Sequence, residues 1–185
     1  MTHVTRRRYL AALGSGALGT AALGPAVRAS RRPDAEAFGA EAFGAWLTGA
    51  NEVPPVETDA FGFAGFRLAR DRSHIDYRLV VAGIENVEES HVHKGPPDLN
   101  GNVVAYLFGP AQDPVDETGL LASGRLTDDD MIWPLTDVAG MAEQMRAANV
   151  YVNVHTTAHP SGEIRGQIRP LSLGDGASAS AGRRE

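Results

Sequence analysis

Three histidines are the side chains best suited to chemistry in this 185-residue chain. His91 and His93 flank Val92, so on an extended backbone both imidazoles leave one face while Val92 leaves the other. His155 closes the run Val150-Tyr151-Val152-Asn153-Val154-His155, where the valines again take one face and the histidine the opposite one. A His-x-His pair with a third imidazole supplies three nitrogens to copper or zinc and leaves a position open for water or substrate. The competing reading has the same histidines hydrogen-bonded to the turns at Lys94-Gly95 and Thr156-Thr157. Periodicity alone does not say whether the two segments are neighbours.

The other reactive side chains have plainer uses. His159, just before Pro160, reads as a solvated turn residue rather than a fourth ligand, and His74 as a partner of Asp76 on the polar face of a strand. Glu88-Glu89 stands close enough to the histidine pair to add a carboxylate, although surface charge is its default role. Asp128-Asp129-Asp130 lacks the alternating oxygens, central Gly and terminal Glu of a calcium loop, and suits a turn or helix start. The chain has no Cys, which removes thiolate metal sites, Cys nucleophiles and disulfides together. Neither a strand-Gly-x-Ser-x-Gly-helix nucleophile turn nor a phosphate-cradling glycine loop is present.

These residues must be positioned by strands, because the dominant hydrophobic period is two. Ile75, Tyr77, Leu79 and Val81 alternate with polar neighbours, and so do Ile164, Gly166 and Ile168 against Glu163, Arg165, Gln167 and Arg169. Phe61 and Phe63 are out of phase with Phe66 and Leu68, which predicts a bulge at Ala64-Gly65. Residues 101–108 are apolar on both faces and predict a central strand; further strands are expected at 45–51, 90–93, 119–126 and 150–155. Eight short strands separated by Gly, Pro, Asp and Asn predict an antiparallel sandwich or barrel. One segment differs. Residues 137–148 place Val138, Met141, Ala142 and Met145 at helical spacing behind Thr136 or Asp137 as N-cap, with Asn149 closing the helix and both methionines in the core.

Outside this region the composition changes. Arg6-Arg7-Arg8 precedes a moderately apolar stretch from Tyr9 to Val27 interrupted by four glycines, the form of a twin-arginine export signal, with cleavage expected after Ala29. Retention as an uncleaved anchor is the alternative, and after cleavage no membrane span is expected. Residues 30–42 read as a linker, 43–170 as one domain, and 171–185 as a disordered tail. The formal charge is -6, but residues 1–30 hold four arginines and no carboxylate, so the remaining chain has thirteen bases against 23 acids, a net of -10. Such a surface repels phosphate, so no nucleic-acid partner is expected.

Two stretches together resemble the signature halves of a CHRD (chordin) domain: His91-Val92-His93-Lys94-Gly95 with Asn100-Gly101-Asn102-Val103-Val104-Ala105-Tyr106-Leu107, and Tyr151-Val152-Asn153-Val154-His155-Thr156 continuing through Pro160-Ser161-Gly162-Glu163-Ile164-Arg165-Gly166-Gln167-Ile168. The opening Leu47-Thr48-Gly49-Ala50-Asn51-Glu52-Val53-Pro54-Pro55 fits the start of that family. The resemblance implies an all-β, immunoglobulin-like antiparallel sandwich or barrel, here with one short helix before the penultimate strand. The family has no general established activity, so the resemblance assigns none; the chain is read as an extracellular binding module with an unidentified partner or small ligand rather than an enzyme. More distantly, the His-x-His strand and lone histidine are similar to the copper-site strands of copper/zinc superoxide dismutases. That likeness would give His91, His93 and His155 to copper and make Arg165 an electrostatic guide for an anion; the zinc-site histidines, a fourth copper histidine and the disulfide are missing.

Overall fold

In a computed structural model of the chain, residues 41–171 are described; the expected signal segment, nearly all of the expected linker and nearly all of the expected tail lie outside them. Eight strands form one antiparallel sheet: β1 (Ala42–Thr48), β2 (Phe61–Leu68), β3 (Ile75–Lys94), β4 (Asn102–Phe108), β5 (Val115–Leu126), β6 (Val150–Thr156), β7 (Ile164–Gln167) and the two-residue β8 (Arg169–Pro170). One helix, α1 (Val138–Arg146), precedes β6. The order β2-β1-β7-β6-β3 closes because β2 also pairs with β3, giving a barrel. The other edges of β3 take β4 and β5, and β8 pairs with β1. The all-β barrel expected from the strand count is therefore present, with β8 as a short addition after β7.

Closure depends on β3, whose 20 residues serve two parts of the wall. Its first half pairs with β2 and β5, and its second half, from Val87 to Lys94, pairs with β6. Gly83 (φ 65) and Asn86 (φ 52) sit between the halves in the left-handed region, which suits residues with no side chain or a short amide, and the ladder with β5 shifts register there. The separate strand expected at residues 90–93 is thus the continuation of this bent one.

Three further expectations are corrected. No bulge interrupts β2: Gly62, Ala64, Phe66 and Leu68 all point inward in unbroken register with β3, while Phe61 is 53% exposed and Phe63 stands on the outer face. The aromatic pair Trp46–Phe63, with ring centroids 4.9 Å apart, is an outer-surface feature. Residues 102–108 form an edge strand rather than a central one, and part of the free edge is covered by a loop, Ile132 N–H donating to Val104 O at 2.9 Å. Finally, β1 begins and ends three residues earlier than expected because Gly49–Asn51 winds into a 3₁₀ turn; Glu52 N–H donates to Gly49 O.

The barrel is filled by Leu47, Phe66, Ile75, Leu79, Val92, Val152, Val154 and Ile164. Helix α1 adds Val138, Met141, Ala142 and Met145 to this core, as its spacing requires; Asp137 caps it by accepting from Gly140 N–H at 2.7 Å. At the other end Ala148, not Asn149, takes the positive φ (50°) that turns the chain toward β6. Asp128 and Asp130 accept backbone N–H bonds at their turn, Asp128 from Val138 and Asp130 from Thr127. At the β1–β7 seam the backbones approach so closely that a Cβ on Gly166 would strike the carbonyl oxygen of Trp46. Gly166→Ala is expected to destabilise the fold by about 2–3 kcal/mol, read as a lower urea midpoint at unchanged slope.

Candidate functional site

Ser90 to His93 of β3 and all of β6 are buried on both faces, and this places the histidines. Val92, Val150, Val152 and Val154 face the barrel interior. On the opposite face the pairing sets His91 across from Asn153, His93 across from Tyr151, and Glu89 across from His155. The adjoining strand β7 sets Arg165 across from Asn153 and Gln167 across from Tyr151. One alternation in three adjacent strands thus yields a polar layer against the outside of the barrel, roofed by residues 95–101 and 156–163.

Arg165 holds that roof. It is 1% exposed, its guanidinium carbon lies 3.4 Å from the centroid of the Tyr151 ring, and it donates to Asn100 Oδ1 (2.9 Å), Pro96 O (2.9 Å) and Leu99 O (3.1 Å). Alternation alone would leave this arginine on a solvated face; the loop folded over β7 buries it. Buried and with both terminal nitrogens bonded to the loop, it is not disposed as a guide for an anion, the role implied by the more distant resemblance.

Beneath the roof His91, His93 and His155 converge, each at most 8% exposed, with one ring nitrogen from each lying within 4.8 Å of the others. His93 Nδ1 is 2.9 Å from Gly101 O and His155 Nδ1 is 2.9 Å from Pro160 O. Because a carbonyl only accepts, both Nδ1 atoms carry a proton, and in the neutral form of each ring Nε2 keeps its lone pair. His93 Nε2 is buried without a hydrogen-bond partner. His155 Nε2 is 3.1 Å from His91 Nδ1. Of the neighbouring carboxylates Glu89 does approach the site, its Oε2 lying 3.3 Å from His91 Nε2, whereas Glu88 accepts from Thr157 Oγ1. His159 stays outside the cluster, in the turn where its N–H donates to Thr156 O at 3.1 Å, and His74 lies 3.6 Å from Asp76.

The electrostatics favour neutral rings. Burial, reinforced by His155 and His93, pushes the His91 pKa down to about 3. Burial also lowers that of His93; Gly101 O opposes the shift, while His155 and Arg165 add to it. Neutral imidazoles are the form that ligates metals. Without a cation, the tautomers are in conflict. His91 Nδ1 must hold a proton to meet the lone pair of His155 Nε2, which leaves His91 Nε2 as a bare acceptor facing the Glu89 carboxylate. A cation among the rings would remove the conflict: Nδ1 of His91 would serve as a ligand and its Nε2–H would face Glu89. All three imidazoles would then direct their remote N–H at an oxygen, the outer arrangement typical of metal-bound histidine. A tetrahedral ion at about 2.0–2.1 Å needs ligand atoms roughly 3.3 Å apart. The His91–His155 pair meets that spacing, and closing His93 onto it completes the set.

The residues that sequence reasoning missed are Asn153 and Glu52. Asn153 Oδ1 is 3.0 Å from His155 Nε2. Glu52 is 5% exposed; burial pushes its pKa up to about 7 despite the opposing charge of Arg165. A raised carboxyl pKa means that the folded state holds its proton while the unfolded chain has released it. Stability is therefore lost as pH rises from about 4.5 to 7. Glu52→Gln is expected to leave the metal-free protein little changed at pH 4 and to stabilise it at pH 8 by up to about 3 kcal/mol, measured by urea unfolding at both pH values.

A cleft of about 770 Å³ lies beside the polar layer, lined by Trp46, Phe63, Glu52, Asp98, Gln167 and Arg169 among others, but by none of the three histidines. No helix among the described residues is long and apolar enough to cross a membrane.

No curated protein and no solved structure matches this chain. The model of the CHRD domain matches residues 43–168, from the first strand through the end of the barrel and including all three histidines. The chain belongs to the CHRD-domain family.

Proposed function

We propose that this is an exported, non-enzymatic CHRD module that binds an extracellular partner or small ligand and carries one copper or zinc ion between His91, His93 and His155. The observation that supports the ion is the set of three buried imidazoles whose remote nitrogens each face an oxygen: Gly101 O, Pro160 O and the Glu89 carboxylate. Export rests on the Arg6-Arg7-Arg8 segment and the apolar stretch after it; a folded domain without cysteines suits a route that carries proteins already folded. Elemental analysis tests the ion. Protein made without a polyhistidine tag and offered copper and zinc should hold one equivalent of one of them, and a metal-free result would leave the histidines as hydrogen-bonding groups of a structural or cell-surface interaction domain. Mass spectrometry of the exported form should begin at Ser30; an intact Met1–Ala29 would refute cleavage.

A second reading, a copper-dependent enzyme acting on superoxide, draws on the donor set itself, one Nδ1 and two Nε2 atoms on a His-x-His strand and its neighbour. Burial of all three rings and the engagement of Arg165 count against it. Superoxide dismutation by the copper-loaded protein no faster than by the same quantity of free copper would end this reading.

A further inference from the structure

We infer that Asn153 is the fourth protein ligand of this site, binding through Oδ1, and that Glu52 orients it, so that the chain closes the coordination shell without water or substrate. The inference rests on the three-histidine reading and adds to it what occupies the remaining position.

Asn153 stands at the centre of the cluster by register, opposite His91 on β3 and opposite Arg165 on β7. It is 3% exposed. Its Oδ1 lies 3.0 Å from His155 Nε2, the atom that carries the lone pair in the neutral ring, whose Nδ1–H donates to Pro160 O. Two acceptors held 3.0 Å apart in a buried layer repel unless a positive centre lies between them. Both atoms are therefore disposed as neighbouring ligands of one cation, at a separation close to the roughly 3.3 Å expected on a tetrahedral ion.

The reverse orientation of the amide is disfavoured by Glu52. The space above Gly162 is bounded by Asn153 Nδ2, 2.8 Å from where a Cβ would stand, and by Glu52 Oε1, closer still. Beside a bound cation, which would favour the ionised form of Glu52, rotating the amide would bring Oδ1 toward a carboxylate and the Nδ2 protons toward the cation. Glu52 Oε1 is buried with no hydrogen-bond partner of its own. Bordering the same space as Nδ2, its carboxylate would draw positive charge to the amide nitrogen and leave Oδ1 more electron-rich, as an outer carboxylate does for a metal-bound imidazole. Gly162 (φ 122) is required twice, for its backbone conformation and because any side chain would fill the space in which Glu52 and Asn153 meet.

A three-imidazole, one-amide shell supplied wholly by the protein leaves no open position, unlike catalytic sites that keep one for water. The ion then ties β3 to β6 and fixes the roof, consistent with the large cleft being lined by none of the three histidines.

The test uses the full-length exported protein loaded with one equivalent of Cu(II), with azide as a probe of open positions. The unsubstituted protein is expected to show no azide-to-copper charge-transfer band, whereas Asn153→Ala should gain one and change its Cu(II) paramagnetic resonance spectrum. Glu52→Gln should weaken copper binding by about 10–100-fold, the usual loss for an outer-shell partner. Azide binding by the unsubstituted protein overturns the inference, and this readout does not depend on any variant folding. A spectrum unchanged in a folded Asn153→Ala protein that still holds copper overturns the fourth ligand alone, while failure of the unsubstituted protein to take up copper or zinc overturns the three-histidine reading with it.

Discussion

Replacing His93 by Ala is expected to abolish stoichiometric retention of copper or zinc while leaving the barrel folded. The ring supplies one of three imidazole nitrogens, and its Nε2 is buried with no protein partner, so the wild-type site holds a lone pair that only a cation or proton can use. Loss of a direct ligand should exceed the 10–100-fold typical of losing an outer-shell group. Glu89→Gln gives the comparison: its carboxylate faces the remote nitrogen of His91 at 3.3 Å and should cost affinity within that smaller range. Competition titration against a chelator of known affinity measures both. A His93→Ala protein with wild-type affinity would mean that the ion, if held, is held elsewhere. Folding provides an independent readout, since an ion at a thousand times its dissociation constant stabilises the native state by about 4 kcal/mol. That increment should vanish in the His93 variant.

Arg165→Met is expected to produce the largest loss of stability of any single change considered, about 3–5 kcal/mol. Methionine preserves much of the volume and none of the donors. Asn100 Oδ1, Pro96 O and Leu99 O would be left without the guanidinium that now meets all three within 3.1 Å, and Tyr151 would lose the cation stacked on its ring. Because the same loop supplies Gly101 O to His93 and its Gly101 N–H donates to the Tyr151 hydroxyl, the damage should reach the proposed metal site as well. Urea unfolding should show the lowered midpoint, and hydrogen exchange should show residues 95–101 opening first. A loss below about 1 kcal/mol would show that the roof is held by other contacts.

The histidine trio was legible because two facts about strands suffice: alternate residues share a face, and valines mark which face is inside. Val92 between His91 and His93, and Val150, Val152 and Val154 beneath His155, gave the direction of every imidazole. Adjacency was not legible, because a period of two carries no information on which strands pair. The pairing of β3 with β6 puts His91 opposite Asn153, and only then does the asparagine become visible as part of the site. Glu52 lay further from reach, since a carboxylate beside prolines in an opening loop reads as surface charge until the loop folds over β7. Arg165 was misjudged for the same reason. Alternation assigns a polar residue to the outer face of a strand, but it cannot tell whether another segment covers that face. The phase shift in β2 had a different cause: Phe61 and Phe63 are apolar residues on the outer surface, and hydrophobicity alone counted them as core.

X-ray absorption spectroscopy of the metal-loaded protein examines the central claim most directly, because outer-shell scattering from imidazole carbons counts the rings around the ion. The protein is expected to hold one copper or zinc per chain, with three imidazoles in the shell and the first shell at about 2.0–2.1 Å for zinc. A bound ion surrounded by carboxylate or water oxygens without imidazole scattering, or less than a stoichiometric amount of either metal, would contradict it.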